Sequence, residues 1–247
     1  MRTIICEDKI DLGVVAAREG EAKIKLAIEK HGVANIVFVT GNSQLETLKN
    51  LVNADIPWDK VNIFHLDEFI GLKSSDPASS VHFLRKYFLS KIGTPLSYTP
   101  INGNAKDIAK EVEELNLKMK DYPLDVAFIC VGENGHLAFN DPPANFDTKD
   151  PYIVVDLDRK SRKQQVSEGW FKTLEDVPEK AITMSINHIL SASSIIVSCP
   201  DRRKAKAVRS CLFEDINPLN PAGAIRTRQE CYLFLDRQSA CLVFRDR

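Results

Sequence analysis

Short apolar, β-rich runs that alternate with longer segments of helical period constrain this chain most. The runs are Thr3–Cys6, Ala34–Val39, Val61–Leu66, Asp125–Val131, Tyr152–Asp156, Ala181–Ser185, Ser194–Cys199 and Cys231–Leu235. Between them, Ile108, Val112, Leu115 and Met119 fall on one helix face, with lysines and glutamates on the rest. Leu12, Val15, Ala22 and Leu26 form a second stripe, interrupted by Glu19, and Ser80–Ile92 and Arg202–Phe213 also read as helices. Strand alternating with helix predicts an α/β fold, a mostly parallel sheet with helices on both faces. No repeat, low-complexity run or Pro/Gly/Ser-rich linker divides the chain, so a single domain over residues 1–247 is expected.

Charge narrows the partners. The formal net charge is −1 and no polybasic stripe occurs, which argues against nucleic acid and membrane surfaces. The opening residues MRTIICEDKIDLG hold too few apolar residues for a signal peptide, and no run is long enough to span a bilayer. The six cysteines include no C-x-x-C pair, and Cys6, Cys130, Cys199 and Cys231 lie in or beside strand-like runs. Buried free thiols in a reducing, cytoplasmic setting are the expectation.

In a parallel sheet, ligands bind beyond the carboxyl ends of the strands, so the residues after each run carry the functional information. Thr40-Gly41-Asn42-Ser43 follows the second run and enters a helix. Backbone N–H groups there can hold an anion, although a plain helix cap would use the same residue types. Asp67-Glu68 ends the third run; one carboxylate could serve as a general base, or either could cap a helix. Gly132-Glu133-Asn134-Gly135-His136 through Asn140-Asp141 follows the fourth, placing a lone histidine between glycines with Asn134 and Asp141 near enough to orient its ring; a lone histidine is more often structural, but its place between glycines at a strand end points to proton transfer. Asp201-Arg202-Arg203-Lys204 opens a helix with cations, which its dipole disfavours; a bound anion would relieve the conflict, although a solvated basic face would carry the same residues. His65 alternates within a strand and is expected to be packed. No spacing supports a metal site or a serine-hydrolase elbow.

Taken in order, "HLDEFIGL", "INGNA", "GENGHLAFNDPP" and "VPEKAIT" resemble the glucosamine-6-phosphate deaminase/isomerase family, related in fold to the 6-phosphogluconolactonases. The resemblance runs from the first strand to about Asp236. It implies a Rossmann-like three-layer sandwich and acid–base chemistry on a small-molecule sugar phosphate, without cofactor or metal. Asp67 matches the carboxylate that moves a proton between C2 and C1. His136 matches the histidine that promotes ring opening, and Asp141 a glutamate that supports it. Thr40, Gly41, Asn42 and Ser43 match the phosphate loop, and Lys204 the phosphate lysine. Asn134 replaces an aspartate, Asn42 and Gln44 replace a glycine and a proline, and Glu168 stands near where some deaminases carry a phosphate-binding arginine. The resemblance implies conversion of glucosamine 6-phosphate to fructose 6-phosphate and ammonia. A 6-phosphogluconolactonase-type hydrolase, a galactosamine-6-phosphate deaminase and a non-catalytic sugar-phosphate sensor stay open as alternatives, as does a homo-oligomer.

Overall fold

The computed structural model describes residues 1–243. In chain order its elements are β1 (Arg2–Cys6), α1 (Lys9–His31), β2 (Ala34–Phe38), α2 (Leu45–Val52), β3 (Val61–His65), β4 (Asp67–Phe69), α3 (Ser80–Leu84) and β5 (Ser97–Thr99). There follow α4 (Ile108–Met119), β6 (Val126–Ile129), β7 (Tyr152–Asp156), α5 (Arg159–Ser167), β8 (Lys180–Met184), α6 (Ile186–Ser191), β9 (Ser194–Cys199), α7 (Ala205–Phe213) and β10 (Cys231–Asp236). The predicted helix Ser80–Ile92 is α3 continued by a π-turn over Arg85–Leu89, and the predicted helix Arg202–Phe213 opens with a 3-10 turn over Arg202–Lys204.

The central sheet has the order β1-β10-β9-β6-β2-β3-β5, and every neighbouring pair in it is parallel. The runs Tyr152–Asp156 and Ala181–Ser185 do not join it. They form β7 and β8, which pair antiparallel with each other and with the short β4 in a separate sheet. The burial pattern explains the difference. β7 alternates between covered and exposed residues, as a strand with one wet face does, whereas β2, β3, β6 and β9 are buried at every position.

Alternation along the central strands divides the core into two layers. Ile36, Phe38, Val126 and Phe128 pack with Leu12, Ile24, Leu48 and Leu51 from α1 and α2. Val37, Ala127, Ile129 and Leu233 point the other way, onto Leu115 and Met119 of α4 and Val208 and Cys211 of α7. Together these make the helix–sheet–helix sandwich. The stripe expected on α1 is rotated in the structure: Leu26 is 56% exposed, and the buried face is Leu12, Gly13, Ala16, Ala17, Gly20, Ile24 and Ala27. Small residues win because the helix lies so close to its neighbours. A Cβ on Gly20 would stand 2.4 Å from the Phe128 ring, and one on Gly13 2.4 Å from Glu46 Cβ.

Candidate active site

Four adjacent strands, β3, β2, β6 and β9, run parallel, so their carboxyl ends share one edge of the sheet. That edge brings Asp67, Thr40–Ser43, the 132–141 loop and Lys204 together around one cleft of about 680 Å³, part of it open to solvent. Asp67, His136, Thr40, Gly41, Asn42, Ser43 and Lys204 all line it. Asp141 and Asn134 stand behind His136.

Adjacent carboxylates on β4 have separate duties because successive side chains of a strand face opposite ways. Glu68 turns to the start of α3. It accepts hydrogen bonds from the backbone N–H groups of Phe69 (3.0 Å), Ser80 (3.2 Å) and Val81 (3.2 Å) and from the Ser79 hydroxyl (2.6 Å). It is the helix cap considered above. Asp67, 5% exposed, faces the cleft and accepts one long bond, 3.4 Å from Ser80 Oγ. Burial, and then the charge of Glu68, push its carboxyl up to about 7, with the Ser80 bond opposing. A carboxylate so placed can gain and lose a proton near neutrality. His65 fixes the backbone here. Its Nε2 accepts the Ile101 N–H at 2.7 Å, so Nδ1 carries the proton and donates to the Asp67 carbonyl oxygen at 3.1 Å. Burial pulls this imidazole down to about 4, so it stays neutral, packed as its place in the strand predicts.

The histidine loop is wound by its glycines. Gly132 lies against the His136 ring: a Cβ there would sit 2.2 Å from Nε2. Gly135 takes φ +87°, in the left-handed region that favours glycine. His136 Nδ1 lies 3.0 Å from Asp141 Oδ1 and 3.0 Å from Ser161 Oγ. Burial raises the Asp141 carboxyl, but His136, Asn134 and the Asp158 N–H together hold it below its ordinary value. An ionised Asp141 requires the proton on Nδ1. That leaves Nε2 without a protein partner among the described residues. Asn134 does not touch the ring. Its Oδ1 accepts the His136 backbone N–H at 3.1 Å and its Nδ2 donates to Asp141 Oδ1 at 2.9 Å, so it reaches the imidazole only through Asp141.

At the other end of the cleft, Gly41 (φ +108°) turns the chain into a 3-10 turn over Asn42–Gln44 that leads into α2. Neither helix start has a side-chain cap, so Asn42 and Ser43 are not spent as caps. Thr40 Oγ1 lies 2.9 Å from Ser80 Oγ, which joins this loop to Asp67 through one hydroxyl. Lys204 is 3% exposed and is the only Lys or Arg lining the cleft among the described residues; its ammonium makes no hydrogen bond or ion pair with any of them. Burial lowers its ammonium, but Cys130, Cys199, Glu168 and Glu133 outweigh burial and raise it. A buried, unpaired ammonium beside free N–H groups suits an anion. Arg203, by contrast, is held by Asp201 (3.1 Å) and Glu133 (3.4 Å). Glu168 lines the cleft and accepts Gln164 Nε2 at 2.8 Å, so a carboxylate borders the anion end.

Sequence reasoning missed Ser80, Ser161 and Gln164, because isolated serines and glutamines in helices carry no local signal. It also placed Cys130 among the buried thiols. The strand ends at Ile129, one residue earlier, and Cys130 is half-buried and lines the cleft.

A family model described as glucosamine-6-phosphate isomerases/6-phosphogluconolactonase matches residues 7–234. The chain is 31% identical over 243 residues to a glucosamine-6-phosphate deaminase of Streptococcus sanguinis, covering 98% of this chain and 99% of the relative. Among solved structures, a monomeric glucosamine-6-phosphate deaminase superposes with a TM-score of 0.89 at 28% identity, over 98% of this chain and 100% of that one. A 6-phosphogluconolactonase from Shewanella baltica shares the fold, with a TM-score of 0.78 at 16% identity over 96% of this chain and 97% of that one.

Proposed function

The chain belongs to the family of glucosamine-6-phosphate isomerases and 6-phosphogluconolactonases, and within it we propose that the cleft converts glucosamine 6-phosphate and water to fructose 6-phosphate and ammonia. The observation that carries this reading is Asp67: a nearly buried carboxylate with one weak hydrogen bond, pushed up to about 7, in the same cleft as an imidazole and an unpaired ammonium. Lactone hydrolysis needs a base for water and no base for carbon. Isomerisation needs a base that takes a proton from one carbon and returns it to the next, and Asp67 is free for that work.

The phosphate docks on Lys204 and the backbone N–H groups of Thr40–Ser43, and this remote grip orients the sugar for the reaction. His136 Nε2 faces the ring oxygen and serves the proton transfers of ring opening, while Asp141 holds Nδ1–H and steadies the imidazolium as it forms. Asp67 removes the C2 proton and delivers it to C1 through an enolamine, leaving an iminium at C2. Water then adds at C2, and ammonia leaves. Asn134 positions Asp141, and Glu168 leaves Lys204 as the principal charge on the phosphate.

Side-by-side assays test the assignment. The purified protein is expected to release ammonia and fructose 6-phosphate from glucosamine 6-phosphate, with kcat/KM at least about tenfold above that for galactosamine 6-phosphate, a ratio of the size a single misplaced hydroxyl contact produces. It should show no turnover of 6-phosphogluconolactone. Faster turnover of the galacto epimer moves the assignment to that sugar, and acid release from the lactone without ammonia from either amine overturns it.

A further inference from the structure

The reaction just described uses Lys204 and the Thr40–Ser43 backbone but leaves the thiol beside them idle. Cys130 follows β6 directly and lines the cleft, half-buried, whereas Cys6, Cys199, Cys211 and Cys231 are buried. Its Sγ lies 3.3 Å from the Val131 carbonyl oxygen, and Cys199 Sγ lies 3.9 Å from the same oxygen, so two sulfurs converge where β6 and β9 end. Lys204, nearly buried and unpartnered, lines the same cleft.

We propose that Cys130 is a modification site inside the anion grip, oxidised by hydrogen peroxide to a sulfenic acid, and that this modification and bound phosphate exclude one another. The proposal rests on the anion grip of the functional reading and not on its sugar chemistry. Contact with the Cys199 thiol lowers Cys130 most; burial opposes, and the charge of Lys204 and the Ser43 hydroxyl add to the lowering, so the thiol lies below its ordinary value. Burial instead pushes Cys211 and Cys231 up to about 12 and Cys6 to about 11. Its place in the cleft beside Lys204 thus favours the thiolate, the form that reacts, more at Cys130 than at the enclosed thiols. Its sulfur attacks one peroxide oxygen: an S–O bond forms, the O–O bond breaks, and hydroxide leaves and is protonated to water. Sulfur loses two electrons and the peroxide gains them. The new oxygen occupies space beside Ser43 and Lys204, where phosphate would sit.

The test treats the protein with hydrogen peroxide at neutral pH in the presence of dimedone, which traps sulfenic acids, and maps adducts by peptide mass spectrometry. Cys241, the other partly exposed thiol, is the internal reference. Trapping at Cys130 is expected to exceed that at Cys241 by about tenfold or more, and millimolar inorganic phosphate is expected to suppress it several-fold where the same concentration of chloride does not. Lys204→Met should bring Cys130 down toward the Cys241 level, with Cys211 and Cys231 still unlabelled as the check that the variant is folded. Equal trapping at Cys241, or trapping at Cys130 that neither phosphate nor Lys204→Met alters, overturns the proposal. Failure of every amino-sugar phosphate to yield ammonia would sink the deaminase assignment and leave this result untouched, so the two can fail separately.

Discussion

Replacing Asp67 by asparagine is expected to cut kcat by a factor on the order of 10² or more while making the folded protein more stable. Both effects come from the same burial. A carboxyl at about 7 in the folded chain, against an ordinary 3.8, keeps a proton that the unfolded chain gives up. Between those two values the native state binds the extra proton, so this group makes stability fall as pH rises from about 4 to about 7, after which its contribution is constant. Asparagine cannot ionise, which removes the penalty. At pH 8 the variant should gain on the order of 1–4 kcal/mol, or roughly 2–16 °C in melting temperature, and the gain should vanish toward pH 4. The acid limb of kcat/KM near pH 7 should disappear with the carboxylate. Thermal melts and pH–rate profiles of the two proteins measure this. A variant with near-normal turnover, or one destabilised at pH 8, would remove Asp67 from its role.

Lys204→Met should act on binding instead. Lys204 is the only Lys or Arg lining the cleft among the described residues, and Glu168, a carboxylate, borders the same end. The cations Arg202 and Arg203 line the adjoining pocket and not this cleft, and Arg203 is already paired with Asp201 and Glu133. A charge-assisted hydrogen bond is worth roughly 1.5–3 kcal/mol, so KM for the sugar phosphate should rise about 10- to 100-fold with a smaller change in kcat. Competitive inhibition by inorganic phosphate should weaken in parallel. Methionine fills the space of the lysine stem without a buried charge, so the melting temperature should hold or rise. A KM within about threefold of the parent would mean that the phosphate sits elsewhere, with the Asp201–Arg203 turn the nearest other basic surface.

How far the fold could be read beforehand follows from the length scale of each signal. Six strands of the seven-stranded sheet were legible because most of them are continuous apolar runs and the helices carry their own period, while the three-residue edge strand β5 was missed. β4 was missed as well, since three residues have no periodicity, and with β4 unseen nothing marked Tyr152–Asp156 and Ala181–Ser185 as strands of a second sheet. The α1 stripe was displaced because leucines drew the prediction, while the real contact face is set by Gly13 and Gly20, whose lack of a side chain lets Glu46 and Phe128 approach. At the site, every candidate after a strand reached the same edge, as parallel strands require. The supporting residues were not legible. Ser161 meets His136 from 25 positions away and Tyr152 Oη donates to the His65 carbonyl from 87 away, contacts that only tertiary structure creates. The choice between Asp67 and Glu68 turned on which side of a three-residue strand each occupies, and the local sequence holds no record of that.

The most direct measurement is a crystal structure of the protein with 2-amino-2-deoxyglucitol 6-phosphate, an open-chain alcohol that lacks the carbonyl needed for turnover. The phosphate should lie within hydrogen-bonding reach of Lys204 Nζ and the Thr40–Ser43 backbone, with C1 and C2 about 3–3.5 Å from the Asp67 carboxylate and His136 Nε2 turned toward the sugar hydroxyls. A phosphate bound elsewhere, or a bound chain whose C2 lies out of reach of Asp67, would contradict the account.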